Sequence, residues 1–211
     1  MPVIFLVLVA LSRWPGLFPP SFSAVYALVF CAGVYLRGRI GWWLPLLTLM
    51  ATDIALNFYY QHKYPVGNVW SAPNLANLAF NYVAYLALIF LGRGFKPKSS
   101  FMALLGGGIL GSILFYLITN TASWFFNPFH NPEYIKTFAS WILAITKGIN
   151  NWPAAWEFFR NSLLSAGLFT SVFVAAMKLT APAESPADKT AGAREDEPEG
   201  EAATEPEEAG A

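Results

Sequence analysis

Acidic residues are nearly missing from most of this chain. Residues 1–180 hold only three, Asp53, Glu133 and Glu157. Cysteine is as scarce: Cys31 stands alone, which excludes an intramolecular disulfide and any cysteine metal cluster. It lies in an apolar run and reads as a small packing residue. Two histidines, His62 and His130, are too few for a His-rich metal site, so no metal and no cofactor are expected. No nucleophile–base motif and no paired-histidine helix occurs. Gly106-Gly107-Gly108 is not followed by Lys-Ser/Thr and sits in an apolar run, so it reads as helix packing and not as a phosphate loop. Asp53 and Glu157 would be the only candidates for an acid/base pair, and nothing places a substrate bond between them. An enzyme is therefore not expected. Basic residues gather in loops between apolar runs, which gives no support to a nucleic-acid partner.

What the chain has in quantity is apolar surface. Of its 211 residues, 55% are hydrophobic and 12% charged, with a mean hydropathy of +0.44. Soluble domains carry about 25% charge. The composition is that of an integral membrane protein in a lipid bilayer. Its formal net charge of +0 hides two opposite parts. Residues 1–180 carry 11 basic and 3 acidic residues, a net of +8, and residues 181–211 carry 2 basic and 10 acidic, a net of −8. The first apolar run has no positive region before it and no evident small-x-small cleavage site, so it is expected to remain in the mature protein.

Six apolar segments follow one another. Pro2–Ser12 and Phe22–Leu36 are short, the first about 16 Å as a helix against a hydrocarbon core of about 30 Å. Gly41–Tyr59 has Trp42 and Trp43 at one end and Tyr59 and Tyr60 at the other, an aromatic belt at each boundary. Pro73–Leu91 opens on a proline suited to a first helical turn. Phe101–Trp124 carries Gly107 and Gly111, a small-xxx-small pair that lets another helix approach. Glu133–Ile149 repeats Tyr134, Phe138, Trp141, Ile142 and Ile145 at helical spacing, and reads as an amphipathic helix across the bundle end or a partly buried span. Pro153–Leu179 is the sixth. The expected fold is an all-α, six-helix transmembrane bundle over residues 1–179. Residues 180–211, rich in Ala, Pro and Glu, are expected to be a disordered acidic tail. Arg37, Arg39, Arg93, Lys96 and Lys98 in the short second and fourth loops place both termini in the cytoplasm.

A carboxylate inside a membrane segment is a functional-site hypothesis by default. Asp53 is that carboxylate, with Asn57 one turn on. At 1.5 Å per residue, Asp53, Asn81 and Arg160 fall at one depth. Asn74, Asn77 and Asn81 share one helical face, as do Glu157, Arg160 and Asn161. Asn120 ends the fifth segment, near Trp124. Four spans thus place polar groups in the outer half of the bundle. One reading is a concave site for a small solute, bound through Asp53, Asn57, Asn77, Asn81, Asn120, Trp124, Glu157, Arg160 and Asn161. The other is a structural or assembly protein, in which Asp53–Arg160 is a pair that only fixes helix packing.

Ser23-Ala24-Val25-Tyr26-Ala27-Leu28, Pro45-Leu46 with Thr52-Asp53, the run Ser112–Trp124 and Phe159-Arg160-Asn161-Ser162-Leu163 resemble a family of uncharacterised bacterial membrane proteins. That family is grouped with the substrate-binding S components of energy-coupling-factor (ECF) transporters. The resemblance spans roughly residues 20–175, and Leu-Ile-Thr-Asn-x-x-x-Trp is its most specific part. It implies a multi-pass protein of the bacterial inner membrane. It further implies a vitamin-like solute bound beneath the outer loops, and docking on a transmembrane coupling subunit with ATPases.

Overall fold

The computed structural model describes residues 2–36, 38–63, 68–150 and 152–180. Seven helices occur among them: α1 (Pro2–Ser12), α2 (Val25–Tyr35), α3 (Ile40–Lys63), α4 (Ala72–Arg93), α5 (Phe101–Phe126), α6 (Phe138–Thr146) and α7 (Ala155–Thr180). Met1–Met177 forms one compact unit. Of the second unit, Lys178–Ala211, only the last turn of α7 is described, and the expected acidic tail lies outside the described residues.

Three helices, α4, α5 and α7, are long and apolar enough to cross a membrane. Their outward side chains are apolar where a soluble helix would be polar: Val83, Phe90, Leu110, Leu164 and Leu168 are all exposed. The chain therefore reads as a membrane protein. The six expected spans correspond in position to α1–α5 and α7. However, α1 and α2 have 11 residues each, about 16 Å by helical rise, and neither reaches across alone. The stretch expected to be an amphipathic helix or a partial span is the nine-residue α6.

α2 is the axis of the unit. Ten of its eleven residues, Val25 to Val34, are buried, so it has no face left for solvent or lipid. A helix that is apolar all round belongs in the interior. Its neighbours are α1, α3, α4 and α5. Gly33 of α2 and Gly92 of α4 meet backbone to backbone. A Cβ on Gly33 would lie 2.4 Å from the Ile89 carbonyl oxygen, and one on Gly92 would lie 2.3 Å from that of Phe30. Only glycine fits at either position. On α5, Gly107 accommodates the Phe30 and Phe95 rings, Gly108 the Thr170 side chain of α7, and Gly111 Leu88 of α4.

These contacts fix the directions. Trp42 packs on Phe90 and Asp53 meets Tyr82, so α3 runs antiparallel to α4. Phe80 stacks on Phe126 while Leu88 meets Gly111, so α5 also opposes α4. Thr170 meets Gly108 and Phe159 packs on Tyr116, so α7 opposes α5. The end of α3, the starts of α4 and α7, the end of α5 and the α1–α2 connector therefore gather at one end. α6 is tied there to α5. Trp141 Nε1 donates to Thr121 Oγ1 at 3.0 Å, and the Tyr116 hydroxyl donates to the Ile145 carbonyl at 2.7 Å.

Candidate functional site

The carboxylate comes first, because burying it costs most. Asp53 is buried on α3. Arg13, in the turn after α1, pairs with its Oδ1 through Nη2, and Arg13 Nη1 donates to Thr52 Oγ1 at 2.7 Å. The Tyr82 hydroxyl of α4 donates to Asp53 Oδ2 at 3.0 Å. Both carboxylate oxygens are thus satisfied by one cation and one hydroxyl, the condition under which a buried pair offsets its desolvation. The cluster ties α1, α3 and α4 together.

The expected pairing of Asp53 with Arg160 does not occur. Arg160 is exposed, and its guanidinium lies 5.3 Å from the Trp156 ring centroid. Trp156, Arg160, Leu164 and Leu168 follow at i+4 along the outer face of α7, and all are exposed. Depth along a helix does not fix which way a side chain turns, and here rotation about the axis sends Arg160 outward. Ser162, Ala166 and Thr170, also at i+4, form the packed face.

Four cavities lie at this end of the unit. The central one, about 340 Å³, takes its polar wall from Asn77 and Asn81 of α4, Thr119, Asn120 and Ser123 of α5, and Ser21 and Ser162. Tyr26, Tyr85, Phe115, Tyr116 and Phe158 supply aromatic surface. It shares Asn77, Asn120 and Phe158 with a larger cavity of about 610 Å³, walled also by Tyr134 and Trp152. It shares Asn77 and Asn81 with a lateral cavity of about 240 Å³ that reaches Asn57. It shares Ser21, Tyr26 and Tyr85 with a cavity of about 340 Å³ under the α1–α2 connector, where Arg13 forms part of the wall. Sizes of 300–1,000 Å³ with a few convergent polar groups are typical of small-molecule sites.

Of the residues expected at a site, Asn77, Asn81 and Asn120 come together in the central cavity, and Asn57 stands next door. The rest do other work. Trp124 Nε1 donates to the Ile135 carbonyl at 3.0 Å and to Ser140 Oγ at 3.2 Å, so it holds the α5–α6 connector. Asn161 Nδ2 donates to the Pro20 carbonyl at 3.0 Å and pins the α1–α2 connector. Glu157 sits in the first turn of α7, where a carboxylate favours the helix dipole, and it lines none of these cavities. Asp53 supports the site through Tyr82 and Arg13 without forming a cavity wall.

Sequence reading missed Arg13, Tyr26, Tyr85, Tyr134 and the serines. Arg13 stands between apolar runs, where nothing in the sequence sets it apart from a loop cation. Ser162 could have been found from the small-residue row of α7. Tyr134, in the larger cavity, has its phenol pushed above the usual tyrosine range, first by burial and then by the Glu133 carboxylate. It therefore stays neutral and available as a donor. Among the described residues, no group of three or more His, Cys, Asp or Glu could hold a metal ion.

No curated protein matches this chain, and neither does any solved structure. A protein-family model covers residues 1–188, and the chain thereby belongs to the family of unknown function DUF6580.

Proposed function

We propose that this protein is a membrane-embedded binding and uptake subunit for a small organic solute. One observation carries the reading: linked cavities at a single end of a membrane-type helix bundle, with three asparagines from α4 and α5 converging on the central one. The resemblance to ECF S components adds to it. In that reading the cavity end faces outward, the basic loops lie in the bacterial cytoplasm, and a separate coupling subunit with ATPases drives the conformational cycle. The supporting role passes from Asp53 and Arg160 to the amides, with Asp53–Arg13 as the brace behind them.

Native mass spectrometry of protein purified in mild detergent is the test. A non-lipid small molecule released on unfolding, and lost from an Asn77→Ala/Asn120→Ala variant that still folds, is the expected result. Protein that carries no solute, in cells whose uptake of small solutes is unchanged by its deletion, would falsify the reading.

The structural alternative draws on a specific feature, the mutual satisfaction of Arg13, Asp53, Thr52 and Tyr82. A brace of that kind fixes helix packing whether or not a ligand binds. It gives no reason for the amides to face open volume.

A further inference from the structure

Hydrogen-bond accounting around the central cavity narrows the ligand. Asn81 of α4 is half-buried, and its side chain makes no hydrogen bond among the described residues. Both its carbonyl and its amino group are open. Asn77 Oδ1 accepts from the Ser123 hydroxyl at 3.2 Å, which leaves its amino group. Asn120 Nδ2 donates to the Tyr116 carbonyl at 2.9 Å, which leaves its Oδ1. Tyr85 is buried, its hydroxyl has no hydrogen-bond partner among the described residues, and the residue walls both the central and the connector cavity. The wall thus offers two amide donors, two amide acceptors and a hydroxyl. These groups face open volume, and a solute that displaces water there must supply their partners. Helix geometry would be equally content with Ala or Leu at position 81.

Two further features bear on ligand class. Among the described residues, no charged side chain lines the central, lateral or larger cavity. Arg13, the one charge among the described walls of all four, is matched by Asp53. A ligand with net charge would enter without a counter-ion and bear its desolvation cost uncompensated. The aromatic surface is also ordered. Phe115 stacks on Tyr85 at 5.0 Å between centroids and meets Tyr26 edge-on at 5.1 Å.

Resting on the uptake reading above, we infer that the central cavity selects an uncharged planar heterocycle bearing a carboxamide, lactam or imide edge. Asn81 pairs with that edge as both donor and acceptor. The amino group of Asn77 and the Oδ1 of Asn120 meet its outer polar atoms. Asn81 is the specificity-determining residue. Carboxylated analogues of the same ring are rejected, because the described walls hold no cation without an ionic partner.

Matched probes test this on the full chain in lipid nanodiscs: nicotinamide against nicotinate, and uracil against orotate. Isothermal titration calorimetry and the unfolding temperature are the readouts. At least one uncharged probe is expected to bind and raise the unfolding temperature, with its carboxylate partner weaker by about tenfold or more, or about 1.4 kcal/mol. Asn81→Leu is expected to lose that binding by about tenfold while the ligand-free protein unfolds within a degree or two of wild type. Asn81→Ala serves in its place if leucine disturbs packing. A carboxylate that binds as tightly as its uncharged partner overturns the ligand class but leaves the uptake reading standing. So does failure of both uncharged probes in a protein that still releases a solute in the mass spectrometer. If no solute is found and no probe binds, both fall together.

Discussion

The two ends of the helix bundle follow opposite packing rules. Towards the Arg93 end, α2 and α4 touch through bare backbone at Gly33 and Gly92, with no room for a methyl group. Towards the Tyr60 end, Tyr26 of α2 and Tyr85 of α4 both wall the central and connector cavities. One end is locked and the other holds space. A second contrast lies within the open end. The Arg13–Asp53–Tyr82 cluster has its ionic partners matched, whereas the asparagines a turn or two away keep groups unused. Polar residues that satisfy one another hold a structure together; polar residues left unmatched are available to something else.

The largest expected effect comes from opening the matched cluster. Asp53→Ala strands the Arg13 guanidinium, and losing one partner of a buried pair costs about 3–5 kcal/mol. The double variant Arg13→Leu/Asp53→Leu should recover a large part of that, because no lone charge remains. Thermal unfolding in nanodiscs measures both. A double variant as unstable as Asp53→Ala would refute the claim that charge imbalance is what hurts. Next is the locked end. Gly92→Ala drives a methyl into the Phe30 carbonyl, and overpacking of this kind costs about 1–3 kcal/mol. The same substitution at Gly106, where a Cβ meets nothing within 4 Å, should be neutral or mildly stabilising by less than about 1 kcal/mol. A smaller loss is expected at Ser12. Its Oγ accepts the Ala24 N–H at 3.0 Å and donates to the Val9 carbonyl at 2.9 Å, coupling α1 to the start of α2. Ser12→Ala should cost about 1–2 kcal/mol by leaving a buried N–H unpaired. Smallest of all is Asn81→Ala without ligand, expected within about 0.5 kcal/mol of wild type. A marked loss there would mean that the amide is structural after all, and the contrast within the open end would vanish.

Much of this was legible in the sequence, and its limits are physical. Apolar runs, Pro73 and the glycines locate the helices to within a few residues. The row Asn74–Asn77–Asn81 announces a polar face on α4, and that face is where the central and lateral cavities lie. The partner of Asp53 was misread for a definite reason. Counting residues gives depth, but Arg160 and Arg13 differ in azimuth, and azimuth depends on which face of α7 packs. The row Ser162–Ala166–Thr170 held that information, since small residues at i+4 mark the packed side and put Arg160 on the other. Arg13 was invisible for another reason. It follows a short α1, and only tertiary placement of the connector carries it to α3. Trp124 and Asn161 show a similar limit: their side chains bond to backbone carbonyls of loops, which no residue pattern announces.

The brevity of α2 has an effect beyond its own packing. Eleven residues make a helix about 16 Å long, against about 33 Å for α4 and about 39 Å for α5 beside it. The α1–α2 connector and the cavities lie at the start of α2. The chamber is the unbuilt portion of a central column. Its capacity is therefore set by where one helix begins: inserting a turn ahead of Val25 would fill the chamber from below like a piston, while the outer helices stayed as they are.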